Sequence, residues 1–391
     1  MLSEENLPDF GNTELAFRHL SDKELGRGRL LFELLSRPWL VAIGSFMAKL
    51  ALAIRLPISW AVKPTVYAQF CGGENIEESE ATIEMLYNNN VRTILDYSAE
   101  GVDSEQDLDL TCSEILKTID AASTDPRHAF AVFKPSGLST NGLLSKDKTK
   151  FSRADKEAWS RVERRFRSIC SSTAEAGGRV LIDAEETWIQ DSIDELAEDM
   201  MSDFNRETAV VFTTVQLYRH DRLDYLKELT NRAEESGYHV GVKLVRGAYM
   251  EKERERAKRK GYPSPIQVDK KHTDADFDSA VQFCLDNLDR IHLFAGSHNE
   301  TSNLHLCRMM SERGIAKNDT RVTFSQLLGM SDPITFNLAA HGYNVAKYVP
   351  YGPIREAMPY LIRRAKENSS VAGQTTRELT LIRKEVARRN R

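Results

Sequence analysis

AVVFTTVQLYRHDRLDYLKELTNRAEESGYHVGVKLVRGAY, residues 209–249, holds one complete strand–helix–strand unit. Its two strand segments contain VVFTTV and GVKLV, nearly continuous runs of apolar and β-branched residues. A strand with one wet face would alternate; a continuous run is expected where helices cover the sheet and neither face is wet. Between the runs, residues 223–236 carry a helical pattern. A buried strand, a crossover helix and a second buried strand form the repeating unit of a parallel α/β sheet.

Working outward in both directions, the same alternation continues. Strand-length runs fall at 91–96, 128–136, 179–185, 209–217, 239–248, 291–298, 322–329 and 344–350. Helical patterns follow them at 107–122, 153–176, 191–204, 223–236, 274–289, 300–313, 332–341 and 354–368, several opened by an Asp or Ser able to cap a first turn. Eight such units in one run predict a closed, distorted (βα)8 barrel of the TIM type, whose usual length is about 250 residues. The predicted division is a helical arm at 1–90, the catalytic barrel at 91–368 and a C-terminal tail at 369–391.

Composition agrees with a globular chain and excludes several other classes. Of 391 residues, 41% are hydrophobic and 28% charged, with 21 Gly and 12 Pro, which rules out collagen-like, disulfide-stapled and disordered chains. Lys and Arg (53) are interleaved with Asp and Glu (58), and a net charge of −5 argues against a nucleic-acid partner. Cys71, Cys112, Cys170, Cys284 and Cys307 are odd in number and far apart, so neither a metal site nor a disulfide framework is expected, and a reducing compartment fits. The acidic start, MLSEENLPD, lacks the marks of a secretory or mitochondrial leader. A cytoplasmic location is therefore expected.

Residues 38–62, PWLVAIGSFMAKLALAIRLPISWAV, are mostly apolar, but Lys49, Arg55 and Pro57 interrupt them. No uncharged run approaches the roughly 20 residues needed to span a bilayer. Two readings remain for this segment: a buried helical cap, or an amphipathic surface that rests on a membrane through Trp39, Phe46 and Trp60.

In a (βα)8 barrel the reacting groups stand at the C-terminal ends of the strands, where the βα loops open. Polar residues gather there: Lys134, then Asp183 with Glu185 and Glu186, Gln216, Lys243 with Arg246, His298 with Asn299, Gln326, and Lys347 with Tyr348. Each alone has a plain structural reading. Lys134 would be a rim residue, Asp183 a cap for a helix starting near Trp188, and His298 a satisfied core histidine. Charged or amide groups at seven successive strand ends point to an enzyme or a binder of polar ligands.

Two local patterns sharpen this. In Lys243-Leu244-Val245-Arg246-Gly247-Ala248-Tyr249 two cations bracket a buried pair, Gly-Ala permits close backbone approach, and Tyr249 offers a stacking face. Tyr360, Arg363, Arg364 and Glu367 form one stripe of a helix, and adjacent arginines there make a fork for a small carboxylate. No Gly-x-Gly-x-x-Gly, phosphate loop, Ser-His-Asp elbow or zinc spacing is present.

VLIDAEET, KLVRGAYMEKER, GSHN, FSQLLGM and KYVPYGPIREAMPYLIRRAKEN followed by SVAGQ resemble FAD-dependent proline dehydrogenase in its monofunctional branch. The resemblance runs from about Lys63 to the end and implies the same barrel. It implies that Lys134, Arg363 and Arg364 bind the proline carboxylate, that Asp183 orders this fork, and that Leu244, Leu327, Tyr249, Tyr348 and Tyr360 wall the pyrrolidine ring. It further implies that Gln216, Lys243, Val245, Arg246, Gly247, Ala248, His298, Asn299 and Glu367 hold FAD. The order Lys243, Arg246, Met250 departs from the bifunctional branch, where Arg comes first, Lys fourth, and an aromatic residue follows the Tyr. The run from Glu251 to Lys260 matches no motif with a role.

The implied chemistry is hydride transfer from C5 of L-proline to FAD N5, giving Δ1-pyrroline-5-carboxylate as the first step of proline catabolism. Electrons would pass to a membrane quinone and product to a pyrroline-5-carboxylate dehydrogenase. Three other readings are kept: a hydroxyproline dehydrogenase, a Schiff-base barrel lyase or aldolase using Lys134 or Lys243, and an inactive amino-acid sensor.

Overall fold

The eight expected strands form, each within one residue of its expected window. The computed structural model describes residues 7–54, 56, 58–97, 104–370 and 374–391. The strands are β1 Arg92–Tyr97, β2 Ala131–Phe133, β3 Val180–Ile182, β4 Val211–Gln216, β5 Val240–Val245, β6 Ile291–Gly296, β7 Val322–Leu327 and β8 Val345–Tyr351. Their order is β1-β8-β7-β6-β5-β4-β3-β2, each strand is followed by helix, and the ladders are parallel; this is the topology of a (βα)8 barrel. The chain clusters into two units, Met1–Glu100 with Gln326–Arg391, and Gly101–Ser325.

In the second unit every residue of β2, β3 and β4 is buried, as the continuous apolar runs require. Phe130 meets Phe212 and Phe294 edge-on at 5.2 and 5.1 Å, filling the interior from alternate strands. The Asn205 side chain accepts from the amides of Val210 and Val211 and donates to the carbonyls of Val211 and His239, joining the starts of β4 and β5 without an unsatisfied polar atom. Ser152 and Asp155 form a capping box on the helix Arg153–Glu175, and left-handed Gly237 ends Arg222–Ser236.

Several helices depart from their expected bounds. The helix after β3 begins at Thr187, not residue 191, and an additional helix, Met250–Lys260, stands where only a charge run was read. Glu251 and Glu253 lie in its first turn and Lys258, Arg259 and Lys260 in its last, an order that favours the helix dipole, and left-handed Gly261 terminates it.

In the first unit β1 and β8 pair from Arg92 opposite Ala346 to Tyr97 opposite Tyr351. The arm holds the helices Thr13–Phe17, Asp22–Leu35 and Pro38–Ala53. Residues expected as a C-terminal tail contain the helix Gln374–Arg389, because Leu379, Leu381 and Ile382 find an apolar partner surface in Ala16, Phe17, Leu25 and Phe32. Gly329, at φ +71°, lies so near Gln69 that a β-carbon would come within 2.0 Å of its carbonyl oxygen.

Helix Pro38–Ala53 buries Val41, Ser45 and Ala51, and a core containing Val41, Tyr67, Phe70, Met358 and Leu361 receives it. Its other side is open: Trp39 is 60% exposed, Phe46 68%, and nearby Trp60 80%, with Ile43, Met47, Leu50 and Ile54 exposed around them. Among the described residues no single helix is long and apolar enough to cross a membrane.

Candidate active site

The expected site residues fall in both units. In residues 101–325, β3 is followed directly by Asp183, whose Oδ1 accepts from Lys243 Nζ at 2.6 Å and whose Oδ2 lies 3.7 Å from Lys134 Nζ. One carboxylate thus serves two largely buried ammoniums from β2 and β5. Asp183 is not the helix cap that its position in the sequence also suggested. The helix begins four residues later, and its first amide, on Thr187, is satisfied by the buried Glu253 carboxylate, which also accepts from the Thr187 hydroxyl.

Two residues on, Glu185 accepts from the Ser136 amide at 2.7 Å and the Ser136 hydroxyl at 2.6 Å. Burial pushes its carboxyl up to about 7, with the two Ser136 hydrogen bonds and Lys134 pulling the other way. The Gln216 amide, at the end of β4, donates to the Glu185 carbonyl at 2.7 Å.

Arg246, just past β5, spends its guanidinium on Asp274 at 2.6 Å and on the hydroxyls of Ser297 and Ser302 at 2.9 Å each, with its carbon 4.4 Å from the centre of the Phe277 ring. Burial raises the Asp274 carboxyl, but Lys270 and Arg246 outweigh it and hold the group below its usual range. Asn299 caps the helix Glu300–Glu312 through the Ser302 amide, beside half-buried His298. Asn303, which the sequence reading missed, donates to the carbonyls of Ser297 and Asn299, while its Oδ1 is buried without a hydrogen-bond partner.

Leu244 is fully buried within β5, and Val245 pairs with Gln216. Gly247 has φ +126°, and a β-carbon there would sit 2.5 Å from the Tyr218 ring, so its glycine is explained by an aromatic of this chain. Ala248 is exposed and Tyr249 half-buried at the start of Met250–Lys260.

In the other unit, the helix Ile354–Ser370 carries the arginine stripe. Arg364 is buried, donates to Glu367 at 2.5 Å and stacks 5.3 Å from the Tyr360 ring. Burial pushes up both the Tyr360 phenol and the Glu367 carboxyl. The Tyr360 hydroxyl and Arg364 Nε are buried without a hydrogen-bond partner, a state that costs about 1–3 kcal/mol per group unless a ligand supplies an acceptor. Arg363 and Leu327 are half-buried, and Tyr348 is buried in β8. Lys347, read from sequence as a strand-end group, is instead a clasp: its ammonium donates to the carbonyls of Leu327 and Met330 and to Asp332.

Among the described residues no group of three or more His, Cys, Asp or Glu side chains is placed to hold a metal ion.

The family model described as proline dehydrogenase matches residues 79–377. The carbapenem antibiotics biosynthesis protein CarD of Pectobacterium carotovorum subsp. carotovorum is 36% identical over 322 residues, covering 82% of this chain and 83% of that one. Hydroxyproline dehydrogenase of Xenopus laevis is 32% identical over 415 residues, covering 95% of this chain and 88% of that one. Mitochondrial proline dehydrogenase 1 of Homo sapiens is 38% identical over 253 residues, 64% of this chain and 42% of that protein. Among solved structures, proline utilization A from Bdellovibrio bacteriovorus inactivated by N-propargylglycine matches with a TM-score of 0.73 at 22% identity, over 82% of this chain and 35% of its own, a likeness of fold.

Proposed function

Since the chain belongs to the proline dehydrogenase family of oxidoreductases, we propose that it oxidises L-proline to Δ1-pyrroline-5-carboxylate with FAD as cofactor and a membrane quinone as the final acceptor. The observation that carries this reading is the helix Ile354–Ser370, where the Tyr360 hydroxyl and Arg364 Nε are buried without a partner. Buried donors of this kind await an acceptor, and a carboxylate beside a guanidinium supplies one with charge assistance.

In the proposal Lys134, Arg363 and Arg364 bind the substrate carboxylate, and Leu244, Tyr249, Leu327, Tyr348 and Tyr360 wall its ring. Asp183 already accepts from Lys243, so it orders cations and does not act as base; the amine proton leaves to solvent.

FAD is a polyanion with amide-like ring edges and ribityl hydroxyls, and the donor set suits it: the cations of Lys243 and Arg246, the Gln216 amide, and His298 and Asn299. The orphaned Asn303 Oδ1 adds an acceptor for a hydroxyl. Val245, Gly247, Ala248 and Glu367 complete the proposed flavin contacts. Bound flavin supplies the two-electron acceptor for the hydrogen leaving C5.

The open apolar side of Pro38–Ala53 supports peripheral docking on the membrane that holds the quinone. Aromatic rings exposed together with aliphatic chains suit an interfacial surface, and exposed Arg37 and Lys49 would offer cations to lipid phosphates there. A second reading, hydroxyproline oxidation, is favoured by the Xenopus laevis relative that spans 95% of this chain. In the proposal Tyr348 separates the two, because as a wall of the ring pocket its bulk would leave no room for a 4-hydroxyl. Turnover of L-proline well above 4-hydroxyproline, with the ratio shifting toward hydroxyproline in Tyr348→Ser, supports proline; preference for hydroxyproline in the unaltered enzyme supports the second reading, and turnover of neither contradicts both.

A further inference from the structure

β3 sends out two acids two residues apart, and they grip the exit of β2 at different places. Asp183 meets the Lys134 side chain. Glu185 meets the turn that follows it: both carboxylate oxygens are taken by Ser136, one by the amide and one by the hydroxyl. That turn, Pro135–Gly137, starts from Lys134, whose carbonyl accepts from the Gly137 amide at 2.9 Å.

Glu185 is itself anchored from two further elements. Its amide donates to Gln190 Oε1 at 2.9 Å, and its carbonyl accepts from Gln216 Nε2. Gln190 in turn donates to Asp194, which is paired with Arg222 at 2.5 Å. Glu185, Gln190, Asp194, Gln216 and Arg222 are all buried. A carboxylate taken out of water and held this firmly is costly to keep in place.

We infer that Glu185 is a positioning residue for Lys134: by fixing the Pro135–Gly137 turn it aims the Lys134 ammonium, and through it sets the affinity for the substrate carboxylate. The inference rests on the proposed role of Lys134. Without the tether the turn loses two hydrogen bonds, and the ammonium at its start loses the backbone geometry from which its side chain reaches.

The test is steady-state kinetics with L-proline on the full chain. Glu185→Ala is expected to raise KM about tenfold while kcat stays within about twofold of the parent, since the tether serves binding geometry. In a Lys134→Ala background the same change is expected to add nothing. Glu185→Gln, which can accept from the Ser136 amide and donate to its hydroxyl, is expected to restore KM. An unchanged KM in Glu185→Ala, or an equal rise with and without Lys134, overturns the inference. A Lys134→Ala enzyme with parental KM overturns the role of Lys134 instead, and the inference with it. If Glu185→Ala does not fold, Ser136→Ala in the same cycle decides by the same criteria.

Discussion

Lys243 Nζ and Lys134 Nζ share a single carboxylate, at 2.6 and 3.7 Å from the two oxygens of Asp183. Three charges from β2, β3 and β5 therefore sit together where little water reaches. Asp183→Ala leaves two ammoniums without that counter-charge, and stability is expected to fall by about 3–5 kcal/mol. Asp183→Asn keeps an acceptor and should lose less. Chemical denaturation of the three proteins checks the order; equal stability of Asp183→Ala and the parent would show that the lysines are balanced elsewhere.

The arginine stripe makes a separate demand. Arg363→Met is expected to weaken transition-state binding of L-proline by about 2–5 kcal/mol, chiefly through KM, as when one partner of a desolvated charge pair is removed. The readout is kcat/KM at saturating acceptor. Kinetics like those of the parent would remove Arg363 from the carboxylate fork.

The apolar face of Pro38–Ala53 should have a measurable partner. Replacing Phe46 and Trp60 by Ser leaves the buried side of the arm untouched, because both side chains are exposed. Sedimentation with anionic liposomes is expected to fall severalfold, while turnover with a soluble acceptor is retained. Undiminished sedimentation would place membrane contact elsewhere.

A pH effect on stability follows from Glu378. Burial pushes its carboxyl up to about 8, the Asp332 charge adds to the rise, and Lys347 and the amides of Ser331 and Asp332 oppose it. The folded state therefore holds this proton more tightly than the unfolded chain, whose value is near 4.5. The stabilising contribution is complete below 4.5 and is lost as pH rises through about 8. In Glu378→Gln the unfolding free energy should fall less between these limits than in the parent. An identical slope in both proteins would mean that Glu378 does not titrate on folding.

The strands were legible because buried parallel strands read as runs: VVFTTV needs no knowledge of its neighbours to declare itself. The helix Met250–Lys260 was not legible as an element, since its surface is charged nearly all round and its anchor is one buried Glu253 whose partner, Thr187, lies 66 positions away. Glu185 was visible as a polar strand-end residue, yet its partner Ser136 is 49 positions away, so no spacing rule could reveal the tether. Lys347 shows the opposite error. Its type and place suited a site, while three acceptors from the β7–β8 connection and its ends had claimed its charge. For the arm, the apolar sequence was plain, but whether it faced core or solvent depended on which positions met Met358 and Leu361, and only packing could tell.

The central claim, flavin-dependent oxidation of proline, is tested most directly by the visible spectrum of the purified full-length protein reconstituted with FAD. Bound flavin bands that bleach on anaerobic addition of L-proline are expected. A protein that retains no flavin, or whose flavin bands stay unchanged with saturating L-proline, would contradict it.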